Sequence, residues 1–319
     1  MNDASMTLEQ LVQQFLVYKR ALGIKYETGE YYLMSFLTYA NSNSPTTRVP
    51  DKELVIGWLS KAAGIPGSLY NMTSTIKEFC KYLYMNEYDN AYILPPNRSP
   101  KLEPHLPYFF TMNEINTFFD CCDKTQKRGE WPGRELVIPA MFRLLYCCGT
   151  RCKEARILLC QDVCLKDKHI DIKASKGCSR RIFISDELAE VFKRYDERIS
   201  RIIPDRVYFF PRNQCEPYNV SFITTNFNRI WKVAFPDFHS PIKPRAYDVR
   251  HHFAYANLNR WAEQGKDVNV MLAFLMRYMG HTSIKSTLYY FHFVPEYFGA
   301  FTDKARALES LVPEVPNEE

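Results

Sequence analysis

The segment Met279-Gly280-His281-Thr282-Ser283-Ile284-Lys285-Ser286-Thr287-Leu288-Tyr289-Tyr290-Phe291-His292 organises the reading of the whole chain. Thr282 or Ser283 can cap a short helix in which Ile284, Leu288 and Phe291 fall at i, i+4 and i+7, forming one apolar stripe. Tyr290 lies off that stripe. Tyr289 sits about 100° away from it around the helix, so only one of the two phenols can readily face a given site. Tyr290 follows His281 by nine residues, which is about two and a half helical turns, so in one continuous helix the two would face opposite ways. A break after His281 is required if both serve one site.

Outward from this segment lies Lys243-Pro244-Arg245-Ala246-Tyr247-Asp248-Val249-Arg250-His251-His252-Phe253. It crowds cationic and imidazole groups at a helix start for which Asp248 is the expected cap. Tyr247 and Arg250, three apart, can share a face. Farther back, a largely apolar helix over residues 133–148 ends at Gly149, and Thr150-Arg151-Cys152-Lys153-Glu154-Ala155 opens another with Thr150 as the expected cap. Arg151 on that first turn stands beside free backbone N–H groups, where guanidinium and helix terminus can grip one phosphate together. From this segment alone, a surface or ion-paired arginine is the alternative. Between these helices, residues 169–173 and 181–184 alternate in strand fashion around Ser175-Lys176-Gly177-Cys178-Ser179, predicting a β-hairpin with a cationic tip. Its Lys173, Lys176, Arg180 and Arg181 can enter a groove or track phosphates, and a solubilising turn is the bland alternative.

The N-terminal third reads as four short amphipathic helices, over residues 7–22, 27–40, 51–59 and 68–85. Residues 94–107 hold five prolines and few apolar side chains, the composition of an extended linker. Thr111-Met112-Asn113-Glu114 then forms a capping box that opens a new domain. Helices over 186–203 and 220–235 and a short strand over 207–210 complete the pattern. The expected organisation is a helical domain over 1–93, a linker over 94–108 and a second domain over 109–319, mainly α with a small β-hairpin or sheet. A final helix over 294–311 can pack on its own domain or dock on a neighbouring protomer, and the acidic end, 313–319, reads as disordered.

Composition narrows the classes. With 46% hydrophobic and 24% charged residues over 319 positions, the chain can bury two ordinary cores. No apolar run approaches the roughly 20 residues a bilayer span needs, and the first residues lack a signal-peptide pattern, so a cytoplasmic location is expected. Residues 1–100 hold nine basic and nine acidic side chains, so the whole net charge of +5 falls on residues 101–319 and favours a polyanionic partner there. The ten cysteines form no paired CxxC units and no zinc spacing. Buried reduced thiols, with no metal and no cofactor, are the expectation.

The order of these motifs carries the identification. Gly149-Thr150-Arg151-Cys152-Lys153-Glu154, then Lys176 in a hairpin, then Tyr247-Asp248-Val249-Arg250-His251, then Gly280-His281, then Tyr290, resembles the tyrosine recombinase (phage integrase) superfamily over nearly the whole chain. The resemblance makes residues 1–93 a DNA-clamping domain and 109–319 a catalytic domain. It implies that Arg151 and Arg250 clamp a phosphate, Lys176 is the hairpin general acid, His281 occupies the second-histidine position and Tyr290 is the nucleophile. Lys173, Arg180, Arg181, Lys243 and Arg245 are expected at DNA, and Glu154, His251 and His292 are expected to support the catalytic groups. Implied partners are double-stranded DNA with paired recombination sites and a homo-tetramer on that DNA, with sister recombinases as candidate co-partners. The implied location is at the nucleoid.

The chemistry explains the residue types. A tyrosine that attacks a phosphodiester leaves a 3′-phosphotyrosine and a free 5′-hydroxyl, which conserves the bond energy without ATP. In a scheme without metal, arginines and a histidine supply the positive charge that the transition state needs. Two departures stand out. The usual His-x-x-Arg is here Tyr247-Asp248-Val249-Arg250, and a phenol cannot act as an imidazole base near neutral pH, although it can donate a hydrogen bond to phosphate. The Arg250 to His281 interval is long, with residues 259–267 the expected insertion, a form that resembles integrases of transposons and other integrative elements. Two further readings stay open: a catalytically degenerate accessory DNA clamp, for which Tyr247 argues, and a type IB topoisomerase-like relaxase.

Overall fold

The computed structural model describes residues 6–88, 90–95, 106–127, 129–173 and 179–283. Lys176, Tyr289, Tyr290 and His292, the helix expected after Ser283, the C-terminal helix and acidic end, and most of the proline-rich segment lie outside the described residues. The chain divides into two compact units, Met1–His105 and Leu106–Glu319.

The described part of the first unit contains α1 (Leu8–Ala21), α2 (Glu27–Asn43), α3 (Lys52–Ser60) and α4 (Pro66–Met85). A capping box starts α1: Thr7 Oγ1 accepts from the Gln10 N–H at 3.3 Å, and the Gln10 side-chain oxygen accepts from the Thr7 N–H at 2.8 Å. The apolar positions Leu8, Leu11, Val12, Phe15 and Leu16 are then all buried, as their helical spacing requires. Asp51 caps α3, and Pro66 stands in the first turn of α4, where a missing N–H forfeits no helix bond. Phe15, Phe36, Trp58, Ile76 and Phe79 fill the core, where each fully buried Phe or Ile contributes about 1.5–3 kcal/mol.

The second unit contains α5 (Met112–Asp123), α6 (Arg134–Cys148), α7 (Cys152–Arg156), β1 (Val163–Cys164), β2 (His169–Ile172), β3 (Arg180–Phe183), α8 (Asp186–Ile202), α9 (Phe222–Ala234), α10 (Asp248–Glu263) and α11 (Val268–Met279). The Thr111/Glu114 capping box forms reciprocally at the start of α5. Helix α6 is the hub: Val137, Ile138, Met141, Phe142, Leu144, Leu145 and Cys148 are buried around it, and α5, α8 and α10 pack on it. A helix with so many apolar residues buried has to be central. The strands form an antiparallel sheet in the order β1-β2-β3, with Ile172 opposite Arg180 and Asp171 opposite Arg181. Helix α11 packs on α10 through Leu258, Leu272, Leu275 and Met279 and also lies against β3. The fold is thus mainly helical with one small sheet.

Three local expectations differ. Residues 207–210 form only an isolated bridge, Leu159 to Tyr208, because the facing Leu159 is flanked by the end of α7 at Arg156 and by a 3-10 turn over Cys160–Asp162, which stop a ladder on either side. Arg151, not Thr150, is the cap of α7, and Thr150 is buried. Tyr247, not Asp248, stands at the cap of α10; fully buried Asp248 instead accepts from the Arg245 backbone N–H at 2.9 Å and so ties the preceding turn back onto the helix. The described cysteines are free thiols, and among the described residues no helix is long and apolar enough to cross a membrane.

Candidate active site

Two glycines build the site. Helix α6 ends on Gly149 and α11 ends on Gly280, both in the left-handed region, with φ of 56° and 67°. That conformation closes each helix and turns its last carbonyls outward, where the negative end of the helix dipole attracts cations. Arginines take up those carbonyls. Arg250, on the first turn of α10 and 2% exposed, donates from Nη1 to Gly149 O at 2.5 Å and from Nη2 to Met279 O at 2.8 Å. Arg151 donates from Nη2 to Gly280 O at 2.7 Å. Two guanidinium groups that are 99 positions apart in sequence therefore meet at the ends of two helices.

His281 joins them. Its Nε2 lies 3.0 Å from Arg250 Nη2, and since a guanidinium only donates, the ring accepts there and carries its proton on Nδ1. Burial, then the positive fields of Arg250, Arg151 and Arg180, with His251, push this imidazole down to about 4. It is held neutral by a cationic pocket, the setting into which an anion fits. Helix α11 stops at Met279, and His281, Thr282 and Ser283 are non-helical, so the chain has left helical geometry at His281.

Glu154 is the hinge of the electrostatics. The carboxylate is 5% exposed as a residue and accepts from the Arg151 N–H at 2.9 Å and Arg151 Nη1 at 2.7 Å. It accepts again from Arg180 Nη1 at 3.0 Å and Nη2 at 2.8 Å. Arg180, expected at the cationic tip, is turned inward, its side chain only 7% exposed. Alternation dictates this: Arg180 shares a strand face with Ile182 and Ile184, both buried, whereas Arg181 and Phe183 face out. Arg181 reaches cross-strand to Asp171 in a bidentate pair at 2.8 and 2.9 Å, and exposed Lys173 pairs with buried Asp162.

Tyr247 is 41% exposed and its ring meets His251 edge-on, with centroids 5.1 Å apart. Together with Arg151, Glu154, Asp162 and Lys173 it lines a cavity of about 650 Å³. Lys243 and Arg245 are exposed on the approach to α10, with Arg245 Nη2 3.3 Å from Asp248. The structure thus brings together Arg151, Arg250, His281 and Glu154, sets Tyr247 and Lys173 at one cavity, and leaves Arg181, Lys243 and Arg245 on the surface. Lys176, Tyr290 and His292 lie outside the described residues. Sequence reasoning missed the inward role of Arg180, for which strand alternation was the available signal. It also missed the carbonyls of Gly149, Met279 and Gly280, for which the glycines after two helices were the hint.

The second unit is thus mainly helical with one three-stranded sheet, and two arginines converge on the turn that bears His281. Residues 109–296, more than half of the chain, match the phage integrase family, and the chain belongs to that family of tyrosine recombinases. It is similar to y4rB of Sinorhizobium fredii, named for an integrase/recombinase, at 25% identity over 91% of this chain and 94% of that protein. It is likewise similar to the tyrosine recombinase XerC of Staphylococcus saprophyticus, at 25% identity over 72% of each chain. Among solved structures it shares the fold of the Tn1549 transposon integrase in complex with transposon right end DNA, with a TM-score of 0.62 at 16% identity, covering 89% of this chain and 94% of that one.

Proposed function

We propose that this protein is a site-specific DNA recombinase that cuts and rejoins DNA through a covalent 3′-phosphotyrosine on Tyr290, with residues 1–93 clamping DNA, 94–108 linking and 109–319 carrying the chemistry. The observation that supports it best is the convergence of Arg151 and Arg250 on the turn that bears His281. Guanidinium forks match the equatorial oxygens of a pentavalent phosphorane, and in a site shielded from water their charge stabilises it most. Tyr290 attacks the phosphorus, the P–O5′ bond breaks, and Lys176 hands a proton to the departing 5′-oxygen. Attack by the 5′-hydroxyl of a second strand on the phosphotyrosine then releases the enzyme and completes exchange.

In this scheme Tyr247 donates a hydrogen bond to the phosphate, and His281, neutral before DNA binds, gains affinity for a proton once the phosphate arrives. A phenol of ordinary pKa about 10 must still lose its proton. With Tyr247 unable to serve as base, that proton passes to water or to another group of the site. A homo-tetramer on paired sites, at the nucleoid, is the expected working assembly.

One observation favours a second reading, an accessory clamp that binds but does not cut: Tyr247 stands where an imidazole is usual. Incubation with nicked duplexes separates the two. The recombinase yields a denaturant-stable protein–DNA adduct that Tyr290→Phe abolishes; the clamp yields none while still binding. Relaxation of plasmids that lack any specific site would instead favour a type IB topoisomerase-like enzyme.

A further inference from the structure

Arg180 buries a full charge on the apolar face of a strand, which is tolerated only when the charge is paired and its N–H groups are bonded. Its partners are specific. Nη1 and Nη2 fork onto Glu154, Nε donates to Tyr278 O at 2.6 Å, and Arg180 lies so close to Gly280 that a Cβ there would come within 2.7 Å of Nη1. Each of these contacts touches a separate part of the site. Glu154 orients Arg151, Gly280 O accepts from Arg151, and Gly280 immediately precedes His281. Arg180 also begins β3, pairs across the sheet with Ile172, and follows Lys176 by four positions.

Resting on the recombinase reading above, we infer that Arg180 is a positioning residue of the cleavage site, not a DNA contact. It acts in two ways. Geometrically, its fork ties the strand that follows Lys176 to the carboxylate behind Arg151 and to the turn presenting His281. Electrostatically, Glu154 alone would cancel the charge of Arg151; shared between two guanidinium groups, the carboxylate leaves this corner net positive and ready for phosphate. Lysine cannot replace it fully, because one ammonium cannot fork onto Glu154 and reach Tyr278 O in the same plane.

The test uses the full chain and a nicked duplex on which the wild type forms its adduct, comparing Arg180→Ala, Arg180→Lys and Glu154→Gln. DNA affinity is measured across a salt series, and single-turnover cleavage is measured at saturating protein. Arg180→Ala is expected to slow cleavage on the order of 100-fold, the effect of about 1 Å of misplacement, with the salt slope of DNA affinity unchanged. Arg180→Lys restores part of the rate. Added guanidinium ion raises the rate of Arg180→Ala but not that of the wild type, which a purely structural lesion would not do. Combined with Glu154→Gln, Arg180→Ala adds less than its own single effect, because both act through one network. A salt slope lowered by about one with saturated cleavage intact would make Arg180 a phosphate contact and overturn the inference. Unchanged cleavage in Arg180→Ala beside an active wild type overturns this inference alone. A wild type that forms no adduct overturns the recombinase reading and this inference with it.

Discussion

Gly149→Ala tests whether the end of α6 is fixed by its glycine, because the carbonyl of Gly149 is one of the two that Arg250 grips. An L-residue at φ of 56° bears left-handed strain of about 1–2 kcal/mol. The new Cβ would also lie 2.3 Å from Cδ1 and 2.8 Å from Cγ of Phe253, a ring stacked on Tyr278 with centroids 5.7 Å apart. Overpacking of that kind adds about 1–3 kcal/mol. The expected total is roughly 2–5 kcal/mol. Gly265→Ala serves as the control: φ is 66°, with nothing within 4 Å of the built Cβ, so only the strain applies. Native-state hydrogen exchange of the buried amides of α6 reads the second unit without interference from the first. If Gly149→Ala and Gly265→Ala destabilised those amides equally, within about 0.5 kcal/mol, the packing argument at the Arg250 clamp would be refuted.

Four further outcomes are expected. His281 has a folded-state pKa of about 4, below its ordinary value of 6.5; its contribution to stability is full above pH 6.5 and is lost as the pH falls towards 4. This loss is roughly 1–2 kcal/mol for a partly exposed ring, and the thermal midpoint of the wild type should fall relative to that of His281→Gln as the pH drops through that range. Because phosphate raises that pKa, DNA binding in the same range takes up a proton, which calorimetry in buffers of different ionisation enthalpy detects. Tyr247→Phe should cut single-turnover cleavage by roughly 100-fold, the loss of one donor to the transition state, and full activity would remove Tyr247 from the site. Lys243→Ala should lower the salt slope of DNA binding by about one without changing cleavage at saturation; an unchanged slope would place Lys243 away from phosphate.

Much of this architecture could be read from the residues because helices and strands advertise themselves by period. The stripe Leu8, Leu11, Val12, Phe15 and Leu16 and the capping box at Thr111 fold as their chemistry requires. The motif order assigns Arg151, Arg250 and His281 to one site, and the structure brings those three together. Tertiary detail was beyond reach for physical reasons. Which carbonyl an arginine takes depends on how two helix ends approach, and no local spacing encodes that. Thr150 and Asp248 looked like caps because side-chain type was the only information; packing gave the capping positions to Arg151 and Tyr247 instead. Arg180 differs from its expected place for another reason: its charge suggests exposure, whereas its alternation with buried Ile182 and Ile184 turns it inward.

The role of Tyr290 is tested most directly by recovering the covalent adduct itself. Protein-linked DNA isolated from cells under denaturing conditions, digested with nuclease and protease and read by mass spectrometry, identifies the modified residue, while sequencing of the attached strand identifies the site. A nucleotide esterified through a 3′-phosphate to Tyr290 is expected, abolished by Tyr290→Phe and retained in Tyr289→Phe. An adduct on Tyr289, or no adduct from a chain that demonstrably binds DNA, would contradict that role.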